Sequence, residues 1–115
     1  MENKRKLGQE QEECASKALE KAGYTILCRN YRCRAGEIDL IAKHRKMLVF
    51  IEVKYRKTNK SGYPEEAVDS RKQKQIRKVA AWYMTEHHLP EDTLCRFDVV
   101  AVTPAEIRVY QNAFS

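Results

Sequence analysis

Met47-Leu48-Val49-Phe50-Ile51-Glu52-Val53-Lys54-Tyr55 is the stretch from which the rest of the chain can be ordered. Apolar residues occupy both of its alternating rows, the pattern of a central strand covered on both faces. Val49, Ile51 and Val53 share one row, while Leu48, Phe50, Glu52 and Lys54 share the other. Glu52 and Lys54 therefore lie about 7 Å apart at one end of a core-facing row. A buried carboxylate or ammonium costs on the order of several kcal/mol unless it is paired or bound to a metal.

The preceding stretch repeats the conflict. Glu37-Ile38-Asp39-Leu40-Ile41-Ala42-Lys43 reads as a strand, with Ile38, Leu40 and Ala42 on one face and Glu37, Asp39 and Ile41 on the other. His44-Arg45-Lys46 is short enough to be a hairpin loop, although it lacks an Asn-Gly signal. A hairpin centred between residues 45 and 46 sets Asp39 opposite Glu52. Two carboxylates converging at a sheet end make an oxygen-rich site for a hard cation such as Mg²⁺ or Mn²⁺. A neighbouring lysine adds a point charge for a phosphate oxygen or a water. Such a cation supplies the Lewis acid and activated water of phosphodiester hydrolysis. The same three residues also suit an ion pair that only stabilises the fold.

Outward from this hairpin, residues 6–22 show helical spacing, with Leu7, Cys14, Ala15, Ala18, Leu19 and Ala22 on one face and Gly23 placed to stop the helix. Residues 24–32 suit a strand and Ala35-Gly36 a turn. A polar loop over 56–64 precedes a second helix over 69–88, capped by Asp69 or Ser70 and striped by Val68, Ile76, Val79, Ala80 and Tyr83. Strands over 94–103 and 106–111 complete the order α-β-β-β-α-β-(β). The alternation predicts one α/β domain over residues 1–115, a mixed sheet flanked by helices.

Composition narrows the partners. Of 115 residues, 22 are basic and 16 acidic, and this excess of +6 points to a polyanion, nucleic acid above all. Residues 54–78 alone carry +6, and the flanking parts cancel. That block begins at Lys54 and includes Arg56 and Lys72, the charge needed to bring phosphates to carboxylates that would otherwise repel them. With no long apolar run the chain reads as neither membrane-spanning nor secreted. Its four cysteines form no CxxC pair, which suits a reduced, cytoplasmic protein without a zinc site. Arg96 and Asp98 alternate onto one face and read as a structural pair. Trp82 and Tyr83 read as core and rim rather than as a base-stacking platform, and His44, His87 and His88 as turn or helix-end residues.

Gly36-Glu37-Ile38-Asp39-Leu40-Ile41-Ala42 followed by Phe50-Ile51-Glu52-Val53-Lys54-Tyr55-Arg56 resembles the YraN family of bacterial proteins. The likeness extends through Leu7-Gly8, Glu12, Gly23-Tyr24-Thr25-Ile26-Leu27, Arg29-Asn30-Tyr31-Arg32, Lys72-Gln73 and Arg96-Phe97-Asp98-Val99-Val100, so it spans most of the chain in order. That family in turn is similar to PD-(D/E)XK nucleases of the archaeal Holliday-junction resolvase type. The resemblance implies a restriction-endonuclease-like core and Mg²⁺-dependent cleavage of DNA, branched DNA included, with a homodimer as candidate assembly. It also implies Asp39 and Glu52 as metal ligands, the Val53 carbonyl as a further ligand, and Lys54 as the residue that positions water or steadies the transition state. Glu12 matches a helix-borne catalytic acid. The helical wheel excludes Glu13 but leaves both Glu10 and Glu12 on the flanks of the apolar stripe. Gln11 stands where the family usually has Gly. Arg56, Lys72 and Gln73 match family positions and read as phosphate contacts. No organic cofactor is implied. The rival expectation is a nucleic-acid-binding module that keeps the nuclease fold without turnover. A third is a structural domain in which Asp39, Glu52 and Lys54 form an ion-pair network.

Overall fold

The computed structural model describes residues 4–56 and 68–115, so the expected loop with Lys57 and Lys60 lies mostly outside the described residues. Helix α1 spans Lys4–Lys21, followed by β1 (Tyr24–Cys33), β2 (Gly36–His44) and β3 (Met47–Tyr55). Helix α2 spans Ser70–Glu86 and leads into β4 (Cys95–Val102) and β5 (Ile107–Phe114). The strands lie in the sheet in chain order. All neighbours are antiparallel except β3 and β4, which run parallel with α2 as the crossover. This is the restriction-endonuclease-like α-β-β-β-α-β core expected from the sequence, extended by β5.

The sheet is the middle of three layers. On one face Ala15 and Leu19 of α1 pack on Leu40, Ala42, Val49, Ile51, Val100 and Val102. On the other, Ile76, Val79, Ala80 and Tyr83 of α2 pack on Ile41, Leu48, Phe50 and Val99. β3 contributes to both cores, which is why its two rows are both apolar. Gly23 ends α1 at φ +96°, a conformation that costs a side chain but not glycine. Asp69 caps α2 by accepting the Lys72 N–H at 2.8 Å. The α1 stripe is narrower than its spacing predicts. Cys14 and Ala22 are exposed, because only about one turn of the helix presses on the sheet.

The β2–β3 ladder has the expected register, His44 opposite Met47 through Leu40 opposite Ile51. It stops one pair short of Asp39 and Glu52. There the Val53 N–H donates to Asp39 Oδ2 at 2.8 Å, so a carboxylate replaces a backbone carbonyl and the strands part. Asn30, which lies between the pairs Arg29–Leu40 and Tyr31–Ile38, is left-handed at φ 53°. Alternation breaks at this point. Ile38 joins Ile41 in the α2-side core, not Leu40 and Ala42 as simple period-two spacing expects.

Candidate metal and nucleic-acid site

The parting of β2 and β3 puts two carboxylates side by side at the carboxyl end of β3, where β3 and β4 run parallel. Ligands of open α/β sheets gather at this kind of strand end. Glu52 is only 8% exposed, and Asp39 is half-buried. Burial first, then the Asp39 charge, push the Glu52 carboxyl up to about 7, against the pull of Lys72 and Lys54. Burial also raises Asp39, opposed by the Val53 N–H and by a hydrogen bond shared with Glu52. The two carboxyls titrate as a pair, both raised by burial, with Glu52 raised the further.

The cations around the pair come from two elements. Lys54 follows on β3, half-buried and in the same row as Glu52. Lys72, on the first turn of α2, places Nζ 3.9 Å from Glu52 Oε2. Both ease the surplus negative charge, and neither makes a close bidentate pair with it. Among the described residues the ionic contact of the pair is this loose one with Lys72, a residue outside the expected Asp39–Glu52–Lys54 network.

Helix α1 decides between its two acids. Glu10 is exposed, whereas Glu12 is half-buried and its carboxyl is raised by burial and then by the Asp39 charge. The Asn30 side chain hydrogen-bonds to Glu12 and offsets part of that rise. Asn30 thus ties β1, α1 and the Asp39 break together. In the sequence Asn30 reads, with Arg29 and Tyr31, as either a nucleic-acid contact or a strand-edge residue, and no glycine announces its left-handed backbone. Glu13 is paired with Arg29 at 2.8 Å on the surface.

Among the described residues, no group of three or more His, Cys, Asp or Glu side chains is gathered to hold a metal ion. Two carboxylates converge, and Glu12 lies near enough to feel the Asp39 charge without joining them in one cluster. The pair nonetheless fits a hard divalent cation. Mg²⁺ keeps several waters and is usually bound through one or two carboxylates together with substrate phosphates. Two acidic groups held against each other, both raised by burial, form a donor set that such an ion would neutralise.

Of the expected phosphate contacts, Lys72 belongs to the site itself. Arg56 follows β3, half-buried, with its N–H donating to the Val102 carbonyl at 2.8 Å. Gln73 Nε2 donates to the Val68 carbonyl at 2.8 Å, which steadies the start of α2.

A second buried polar cluster lies on the α1 face. Arg96 Nε and Nη2 each meet an Asp98 oxygen at 2.9 Å, and Tyr24 Oη donates to Asp98 Oδ2 at 2.7 Å. Arg96 Nη2 also meets His44 Nδ1 at 2.9 Å, and the His44 and Tyr24 rings stack at 4.1 Å. The Arg96–Asp98 pair expected from alternation is therefore half of a four-residue network. His44 is a buried member of it rather than a loop residue.

The family model described as "Uncharacterised protein family UPF0102" matches residues 11–102. A UPF0102 protein of Lachnoclostridium phytofermentans is 49% identical over 112 residues, 97% of this chain and 95% of that one. One from Caldicellulosiruptor saccharolyticus is 43% identical over 118 residues, 97% of this chain and 99% of the relative. Another from Syntrophotalea carbinolica is 43% identical over 112 residues, 94% of this chain and 90% of the relative.

Proposed function

The chain belongs to the UPF0102 family, the one its sequence resembles under the name YraN, and from the chemistry of its carboxylate pair we propose that it is a metal-dependent endonuclease acting on DNA in the cytoplasm. The observation that carries this reading is the pair itself: Asp39 and Glu52 held together at a strand end, under-neutralised, with two lysines beside them. A structural role alone would favour a partner of matched charge, as Asp98 has in Arg96.

Asp39 and Glu52 would hold Mg²⁺ or Mn²⁺, with the Val53 carbonyl as a further donor, and the ion would supply Lewis acidity and an activated water. The Val53 N–H keeps Asp39 pointed at the site. A raised Glu52 carboxyl would have to be ionised to serve as a ligand, so binding would release protons. Lys54 orients the attacking water and meets charge that develops on the phosphoryl oxygens. Lys72 and Arg56 hold the phosphate backbone against the repulsion of the pair.

The experiment is cleavage of linear, flapped and four-way DNA with and without Mg²⁺. Glu52→Gln should abolish cleavage, and Lys54→Ala should slow it by about a hundredfold or more. Turnover unchanged in both variants would overturn the mechanism. The absence of a third carboxylate in the pair, among the described residues, favours a second reading, a binding module without turnover. It predicts salt-sensitive binding with no cleavage at any metal concentration.

A further inference from the structure

Helix α2 buries Ile76, Val79, Ala80 and Tyr83, and its opposite side carries a different stripe. Arg71, Lys74, Gln75, Lys78 and Trp82 stand at i, i+3, i+4, i+7 and i+11, so they line one edge of the helix. Trp82 ends the stripe with 47% of its surface exposed, although an indole gains more than most side chains by burial. Arg71, Lys74 and Lys78, and Arg34 facing them, make no ion pair with any carboxylate among the described residues.

These residues bound a groove of about 360 Å³, with the Arg34-Ala35 turn as its other wall. The turn is seated firmly. Gly36, at φ +139°, lies so close to α2 that a side chain there would run into Gln75 Nε2. A second groove, of about 400 Å³, is lined by Gly36, Glu37, Lys72 and Gln75. Gln75 is shared by both grooves, and Lys72 stands beside Glu52. The two grooves therefore adjoin along α2, a track of about 16 Å from Arg71 to Trp82, with Lys72 as the link toward Glu52.

We propose that this track binds a single-stranded DNA segment flanking the phosphate to be cut, its phosphates on Arg34, Arg71, Lys74 and Lys78 and an unstacked base against the Trp82 indole. The path toward Glu52 rests on the proposed function, whereas the binding surface stands on its own residues. Cations spaced along a groove that ends in a half-exposed aromatic face match the two recurring elements of single-strand recognition. A duplex keeps its bases stacked inside, where the indole does not reach them. An acidic peptide would use the cations and leave the indole without a partner.

Trp82 is the only tryptophan in the chain, so its fluorescence reports on this stripe. The test titrates the full chain with an oligo(dT) of about 15 nucleotides, in EDTA and low salt. Saturable quenching is expected. Trp82→Ala should weaken binding about tenfold, and Trp82→Phe, which keeps a stacking ring, by about threefold or less. Lys74→Ala with Lys78→Ala should shrink the slope of log affinity against log salt by roughly 1.4. Circular dichroism shows that each variant is folded.

Binding without quenching, with Trp82→Ala at wild-type affinity, would overturn the inference. So would a duplex of equal length that competes as well as the single strand. Equal quenching by polyglutamate would assign the groove to an acidic protein instead. Because EDTA removes any need for cleavage, the two proposals fail separately. Quenching without cutting in Mg²⁺ supports this one and overturns the nuclease reading. Cutting with Trp82→Ala at wild-type affinity does the reverse.

Discussion

Asp98 and Glu52 are carboxylates buried on neighbouring strands of one sheet, and their surroundings are opposites. Asp98 is 1% exposed and satisfied, with two Arg96 nitrogens, the Tyr24 hydroxyl and the Asn112 N–H on its two oxygens. Glu52 has a second acid beside it and its nearest cation at 3.9 Å. The first arrangement neutralises a charge that the interior would otherwise resist. The second leaves an acidic surplus at a strand end, a poor way to stabilise a fold and a good way to bind a cation. The cost carried at Glu52 and not at Asp98 is what the proposed metal site would require.

The contrast predicts opposite signs for the same chemical change. Asp98→Asn strips Arg96 of its countercharge in the interior and should destabilise the protein by about 3–5 kcal/mol, read by urea unfolding. Glu52→Gln should instead stabilise the metal-free protein by about 2 kcal/mol at pH 8. The sign follows from the raised carboxyl. Between its unfolded value near 4.5 and its folded value of about 7, the folded chain binds more protons. The contribution of Glu52 is therefore fully present below pH 4.5 and lost as pH rises through 7. The advantage of Glu52→Gln should shrink toward about pH 5. A variant as unstable as Asp98→Asn would break the comparison.

Added Mg²⁺ sharpens it further. Millimolar ion should raise the wild-type melting temperature at pH 8 by a few degrees, about 1 kcal/mol, through selective binding to the folded chain. Glu52→Gln should lose that rise and Tyr24→Phe should keep it. The smallest effect is that of Tyr24→Phe itself, about 1 kcal/mol for one hydrogen bond to a charged group that keeps other partners. Burial and then Asp98 hold the Tyr24 hydroxyl up at about 12. Its contribution is present below pH 10 and lost as pH climbs through 12, so wild type and variant should converge in strong alkali.

Much of the site is legible in the chain because β-sheet geometry is local arithmetic. A hairpin centred between residues 45 and 46 sets Asp39 opposite Glu52, and the ladder keeps that register to Leu40 and Ile51. Alternation misses the events past the last pair. A side chain takes the place of a backbone partner at Asp39, and Ile38 changes faces. Period two describes only strands whose backbones remain paired.

The sequence by itself determined the element order, the central place of β3, the two carboxylates on neighbouring strands and the basic character of the segment after them. These depend on periodicity and charge along one segment. Only the tertiary structure showed Glu12 half-buried and Glu10 exposed, brought Lys72 to Glu52, tied Gln73 to the Val68 carbonyl and joined Tyr24 and His44 to Arg96 and Asp98. Most of these unite residues from elements distant in the chain. The rotation of a helix over a sheet is settled by the packing of both surfaces at once, which no single segment encodes.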